Sequence, residues 1–284
     1  MLSKKEKAQL NIYSCEIRKA TLKAICEAGG GHAGGAMSMV EALAVLYGKA
    51  MNVDPADPKK KDRDRFVLSK GHCGPSLYAA LALKGFFPMD VLWTMNKGGT
   101  MLPSHVDRKK TPGIDFSTGS LGQGISMAVG SALGAAKTGQ DYYTYCMLGD
   151  GECDEGQVWE ALLFANQQKL DHLIAFVDYN KKQLDGPVES VCSLGNIGEK
   201  FKAFGWDVQE VAGDNVEAIY DAIQEAKKIQ GKPSIIILDT IKGHGCKYAE
   251  GLTNCHHIVI SQEVYEKEAA RLDEEIAEYR KEEA

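Results

Sequence analysis

The sequence predicts an α/β fold, a mostly parallel sheet flanked by helices on both faces. Three observations carry this. Apolar runs that read as buried strands recur along the chain: Tyr142 to Leu148 (YYTYCML), His172 to Asp178 (HLIAFVD) and PSIIILDTI (233–241). Segments with helical spacing of apolar residues separate them, as in WEALLFANQQ (159–168). Polar residues stand at the strand exits, Gly149-Asp150-Gly151 after one run and Asp178-Tyr179-Asn180 at the end of the next. In parallel α/β sheets that edge is where ligands bind.

Taken in order, Lys4 to Ala28 reads as a helix with Leu10, Ile17, Leu22 and Ile25 on one side, ended by Gly29-Gly30-Gly31. Ser38 is placed to cap a helix over MVEALAVLYGKAM (39–51). A polar loop, 52–64, leads to a short strand, RFVLS (65–69), which runs into Lys70-Gly71-His72. Pro75 suits the first turn of the helix SLYAALALKG. The irregular stretch 98–119 holds Pro103 and Pro112, and compact domains rarely keep such loops without a function. The helix 122–137 (GQGISMAVGSALGAAK) is rich in Gly and Ala, which predicts close packing against another element or a partner. After the central strand–helix–strand unit come an irregular loop (181–194), a helix (197–204), the strand WDVQEV (206–211), a helix (215–229) and the last strand. A highly charged helix closes the chain at about 262–284. No linker or repeat divides the 284 residues, so the expectation is a single domain.

The bulk numbers exclude several classes. Hydrophobic content of 44% and charged content of 25% are those of a soluble globular protein. A formal charge of -6 argues against nucleic acid or an anionic membrane as partner. No apolar run is long enough to span a bilayer, and MLSKKEKAQLNIY lacks a signal-peptide core. The eight cysteines form no CxxC pair and read as scattered reduced thiols, the pattern of a cytoplasmic protein. Cys73 and Cys153 lie beside candidate site residues, which leaves their reactivity open.

Gly-Asp-Gly after a strand is usually only a turn. Here it has company. Asp150, Asn180 and a nearby backbone carbonyl make a hard-oxygen half-shell, which suits Mg²⁺ and leaves its other positions to phosphates and water. His32 sits in GGGHAGGAMS, His72 in SKGHCG and His105 in LPSHVD, and Ser120-Leu121-Gly122-Gln123-Gly124 opens the small-residue helix. Gly-rich turns and helix N-termini bind anionic oxygen. No GxGxxG dinucleotide fingerprint and no GxxxxGK[ST] loop is present. The pattern therefore points to a metal-anchored diphosphate outside the ordinary nucleotide folds.

Gly149-Asp150-Gly151 with Asn180 downstream resembles the thiamine diphosphate signature. Four stretches resemble transketolase more narrowly and come in that family's order: RDRFVLSKGHCGPSLYAAL (63–81), TPGIDFSTGSLGQGISMAVG (111–130), GDGECDEGQVWEALLFA (149–165) and DYNKKQLDG (178–186). The resemblance covers roughly residues 5–260 and implies the thiamine diphosphate-binding fold of the diphosphate-side (PP-type) domain. Full-length transketolases are more than twice this long. The resemblance therefore implies the N-terminal subunit of a split transketolase, active only with a separate C-terminal subunit, in a heterotetramer of two chains of each kind. The starting Met and the well-formed last helix favour a natural subunit over a cut fragment.

The resemblance also implies roles. The cofactors are thiamine diphosphate and Mg²⁺, with Ca²⁺ or Mn²⁺ able to substitute. Asp150, Asn180 and the carbonyl of Lys182 match the metal ligands. Gly151 presents its N–H to the diphosphate, and Gly119, Ser120 and Leu121 touch the cofactor. His72 contacts the diphosphate, while His32 and His105 lie near the reacting carbons as proton carriers. The family's last histidine usually sits in a Trp-His-Gly-like run. Here Asn254-Cys255-His256-His257-Ile258 takes its place, so His256 aligns best and His257 is the other choice. Glu155 and Glu160 resemble interface glutamates linking two active sites, beside the plain reading of Glu152–Glu155 as acidic groups at a helix start. The reaction implied is transfer of a two-carbon ketol unit from a ketose phosphate to an aldose phosphate. The activating glutamate and the sugar-phosphate-binding arginines belong to the half not present in this chain. Two other readings compete: an alpha-type subunit of a 2-oxo acid dehydrogenase, and a non-catalytic cofactor-binding module.

Overall fold

Five strands form one all-parallel sheet in the order β1-β2-β3-β5-β4: β1 (Arg65–Leu68), β2 (Thr144–Gly149), β3 (Leu173–Tyr179), β4 (Asp207–Ala212) and β5 (Ser234–Asp239). This is seen in a computed structural model that describes residues 1–283. β2, β3 and β5 are buried almost throughout, which is why their sequences are continuous apolar runs rather than alternating ones.

Alternate residues of each strand feed two separate cores. Phe66, Tyr145, Met147, Ile174, Phe176, Ile236 and Leu238 pack under α1 (Lys4–Glu27), α2 (Val40–Val45), α3 (Gly74–Lys84), α7 (Val216–Ala226) and α8 (Gln262–Glu283). Val67, Cys146, Leu148, Ala175, Val177, Ile235 and Ile237 pack under α4 (Gln123–Thr138), α5 (Gly156–Gln167) and α6 (Ile197–Ala203). Helices therefore cover both faces, as the sequence predicts.

Local chemistry fixes the element ends. Ser3 and Glu6 form a reciprocal capping box at α1, with the Glu6 N–H donating to Ser3 Oγ and the Ser3 N–H to Glu6 Oε2. Gly29 (φ 75°) and Gly30 (φ 146°) end that helix in backbone that other residues rarely adopt. Asn196 and Asn215 cap α6 and α7.

Two local expectations are corrected. Ser38 caps no helix: α2 starts at Val40 without a side-chain cap, and Ser38 Oγ donates instead to Asp178 Oδ2 at 2.6 Å. A buried carboxylate is the stronger acceptor, so it takes the hydroxyl from the helix end. The Gly/Ala helix packs closely at Gly124, where a Cβ would stand 2.5 Å from Ser69 Cα, while Gly130 and Gly134 face open space on its outer side. The loop 181–194 is also less irregular than expected, since it holds a short helix, Val188–Val191, and a bridge between Lys182 and Pro187.

Candidate active site

Four strand exits converge at the C-terminal edge of the sheet. β1 delivers Lys70 and His72, β2 delivers Asp150 and Gly151, β3 delivers Asn180 and Lys182, and β5 delivers Lys242. Register makes this convergence automatic: Gly149 lies opposite Asp178, and the Asp150 N–H donates to the Asp178 carbonyl at 3.3 Å. Together with His32, His105, His256, Gly119 and Leu121, these residues line one cavity of about 310 Å³. A wider, shallower crevice of about 750 Å³ beside β4 and β5 contains neither the glycine loops nor the histidine cluster. The smaller cavity is where the chemistry gathers.

A buried charge network forms its floor. Asp178 is fully buried, and its Oδ2 accepts from Lys70 Nζ at 2.5 Å, Ser38 Oγ at 2.6 Å and Asn180 Nδ2 at 2.8 Å. Burial works against a charged Lys70, yet Asp178 more than offsets it and holds the ammonium's pKa above its usual value. By anchoring its amide nitrogen, Asp178 turns the Asn180 Oδ1 the other way, where the Lys182 N–H donates to it at 3.2 Å. Asp150 accepts two backbone N–H bonds, from Gly151 at 2.7 Å and Lys181 at 2.5 Å. Burial and the nearby Asp178 still push its carboxyl up to about 6.

Those residues fit a divalent cation. The donors at hand are a carboxylate, a carboxamide oxygen and the Lys182 carbonyl, all hard oxygens of the kind Mg²⁺ takes. Asp150 carries a burial penalty that a dication would relieve. The Lys182 carbonyl already attracts a cation, accepting from Lys242 Nζ at 2.8 Å, and Lys242 also bonds the Gln183 carbonyl at 3.2 Å. Burial lowers the Lys242 pKa. Lys70 and Lys242 thus stand on two sides of the space between Asp150 and the histidines, where a diphosphate would need them. Gly151 lines that space, with its N–H donating to Asp150 Oδ1, and a Cβ there would meet Gln183 at 2.7 Å.

Four histidines, His32, His72, His105 and His256, line the cavity, and a fifth, His257, is exposed and packs against His32 beside it. The His32 ring centroid lies 5.2 Å from those of His72 and His256, 5.8 Å from His105 and 4.9 Å from His257. His256 Nδ1 sits 3.1 Å from Lys242 Nζ and so accepts from it as a neutral ring. Burial is the main cause of depressed pKa values at His32 (about 4), His72 (about 2) and His256 (about 4), and neighbouring lysines and histidines add to it. These rings are neutral at pH 7, which suits hydrogen bonding to hydroxyls and proton transfer rather than anion pairing. Among the described residues, no group of three or more His, Cys, Asp or Glu side chains is disposed to hold a metal ion.

Stability should follow these rings. In the unfolded chain each titrates near 6.5, so their contribution is present above that pH and is lost as pH falls toward about 4. Asp150 acts in the opposite sense below about 6, as do Glu152 and Asp64, whose carboxyls burial also raises, so they take back part of this loss. Allowing for solvent screening of half-exposed rings, chemical denaturation at pH 5 should show about 2 kcal/mol less stability than at pH 7.5.

The glycine loop before α4 is held from below. Glu152, which is 2% exposed, accepts from the Gly122 and Gly149 N–H groups at 2.9 and 3.0 Å and from Ser69 Oγ. It is more than an acidic group at a helix start: it ties the 119–122 loop to the end of β2. Gly119 and Leu121 line the cavity, whereas Ser120 is exposed and outside the lining. Glu155 and Glu160 are exposed on or before α5 and do not reach the cavity. Cys73 and Cys153 are both fully buried, with thiols pushed up by burial, Cys73 to about 11, so neither is a ready thiolate.

A family model described as "Transketolase, thiamine diphosphate binding domain" matches residues 11–275. The chain belongs to the transketolase family. Among its relatives, the 6-deoxy-6-sulfo-D-fructose transketolase subunit SqwG of Clostridium sp. (strain MSTE9) is 51% identical over 259 residues, covering 91% of this chain and 94% of that one. An apulose-4-phosphate transketolase subunit of Phocaeicola vulgatus is 40% identical over 273 residues, covering 96% and 97%. Both are named as transketolase subunits, which weighs against the 2-oxo acid dehydrogenase reading. The transketolase of Leishmania mexicana superposes with a TM-score of 0.85 at 30% identity, over 99% of this chain and 47% of that one. The fold is thus the transketolase diphosphate-side domain, about half of a full-length transketolase.

Sequence reading missed four members of this site. Ser38 and Asp178 looked like a cap and the end of a strand, Lys70 like a residue before a histidine, and nothing in the sequence singles out Lys242. One signal was available: Asp178 and Lys70 are charges at the ends of apolar strands, and a buried charge needs a buried partner.

Proposed function

We propose that this chain is the N-terminal subunit of a thiamine diphosphate- and Mg²⁺-dependent transketolase that acts with a separate C-terminal chain. The convergence of Asp150, Asn180 and the Lys182 carbonyl with a histidine-lined cavity supports this reading. Asp150, Asn180 and Lys182 would hold the metal. Gly151, Lys242 and His72 would hold the diphosphate, and Gly119, Leu121 and His256 would contact the cofactor. His32 and His105 would donate and accept protons at substrate hydroxyls. The bound cofactor supplies the electron sink for carbon–carbon cleavage; the protein supplies anchoring, orientation and proton transfer.

For the substrate, the name of the relative that is 51% identical favours a ketose ending in a strong-acid group, with 6-deoxy-6-sulfo-D-fructose first to test. The relative named for apulose 4-phosphate, 40% identical, favours the same general class, a ketose with an anionic terminus. The test is ketol transfer to an aldose phosphate by this chain co-produced with a transketolase C-terminal subunit from the same source. The donor panel holds sulfofructose, fructose 6-phosphate, xylulose 5-phosphate and apulose 4-phosphate. Sulfofructose should give the highest kcat/KM. Equal or higher kcat/KM with xylulose 5-phosphate would contradict the substrate assignment, and pyruvate decarboxylation without ketol transfer would contradict the reaction class.

A further inference from the structure

We infer that His257 contacts the sugar at the mouth of the cavity and helps set which ketose is accepted, an inference that rests on the transketolase reading above. The five histidines sort by depth around His32. The inner pair, His72 and His256, have ring centroids 5.1 Å apart; Lys70 adjoins His72, and Lys242 is bonded to His256. That pair sits beside the two lysines that would meet a diphosphate. The outer pair, His105 and His257, are both solvent-exposed. His256 is therefore committed inward, while His257, one residue on, is presented outward. No protein group among the described residues hydrogen-bonds the His257 ring.

Its placement is fixed by backbone rather than left to a loose loop. Gly31 and Ile258 exchange two N–H···O bonds of 3.0 Å, and the Gly34 N–H donates to the Cys255 carbonyl at 2.9 Å. Residues 255–258 are thus stitched on both sides of His257 to the loop that carries His32. The two rings meet edge-on, at an interplanar angle of 89°. Gly30 makes the room: a Cβ there would stand 3.3 Å from His257 Cε1. An imidazole held rigidly at a cavity mouth without a protein partner offers one donor and one acceptor to whatever enters. Its chemistry suits a sugar hydroxyl or an acidic oxygen of the substrate's far end. Lys242 and Lys70, the cations that would meet a diphosphate, lie on the side of His256 and His72.

The test uses H257G and H257Q in the reconstituted two-chain enzyme, with kcat and KM for sulfofructose, fructose 6-phosphate and xylulose 5-phosphate, and thiamine diphosphate affinity measured separately. H257G should raise KM for the preferred donor about tenfold, the loss of one hydrogen bond, and narrow the preference among donors. H257Q, which can still donate and accept, should recover part of it. Thiamine diphosphate affinity should change less than about twofold, in contrast to H256Q, which disturbs the Lys242 contact. Unchanged KM values for all donors, or a loss of cofactor affinity equal to that of H256Q, would overturn the inference while leaving the transketolase reading intact. A wild-type complex that transfers ketol from none of the donors would overturn both.

Discussion

Replacing Asp150 by alanine should weaken Mg²⁺-dependent binding of thiamine diphosphate by on the order of 10²-fold or more, because removing even an outer partner of a metal ligand costs about 10- to 100-fold. The fold should survive. The Asp150 side chain accepts only from the Gly151 and Lys181 N–H groups at the edge of the cavity, and its raised pKa marks it as a carboxylate that the metal-free chain holds at a penalty. Removing it also relieves repulsion with Asp178. The thermal midpoint of the D150A chain should therefore stay within a few degrees of wild type, while calorimetric titration of the reconstituted complex shows the binding loss. Replacing Asp178 is the contrasting case. It would strip Lys70, Ser38 and Asn180 of their shared acceptor and leave a buried ammonium unpaired, so loss of the site and loss of the fold would be confounded.

The isolated chain should show less than about 1% of the ketol-transfer rate of the two-chain enzyme, a deficit of at least about 2.7 kcal/mol in transition-state stabilisation. The cavity lining explains the size of this effect. Among the described residues, its carboxylates are Asp150 and Glu152, one at the metal end and the other bound to the Gly122 and Gly149 backbone and to Ser69. Neither stands free among the histidines to activate the cofactor's far ring, the task that the family resemblance gives to the pyrimidine-binding half. Mixing the purified chains and following the rate against added partner would show activity rising from near zero to a plateau. Turnover by the single chain at a rate near that plateau would contradict the requirement for a second chain.

Much of the fold was legible because the strands are buried on both faces. Runs such as SIIILD could be nothing but interior strand once turn residues bounded them, and the predicted ends of β2, β3 and β5 fall within two residues of the observed ones. Asp150 and Asn180, which the structure brings to one cavity, stood out for a related reason: they are polar groups left at the ends of such runs. The supporting half was not. Ser38 lies far from Asp178 in sequence, and nothing local distinguishes a serine that caps a helix from one that donates to a buried carboxylate. Lys242 and His256 meet only because the 255–258 segment folds back onto the loop at 31–34, a pairing of loops that periodicity cannot register. The choice between His256 and His257 was open in sequence for the same reason; three dimensions give the two rings different depths and different partners.

The central claim is that the C-terminal sheet edge of this chain is a metal–diphosphate site. It is tested most directly by titrating thiamine diphosphate into the reconstituted two-chain complex with Mg²⁺ present, and again after chelation with EDTA. Saturable binding that needs Mg²⁺ and is lost in D150A is the predicted result. Cofactor affinity that is the same with EDTA, or the same in D150A, would contradict the account.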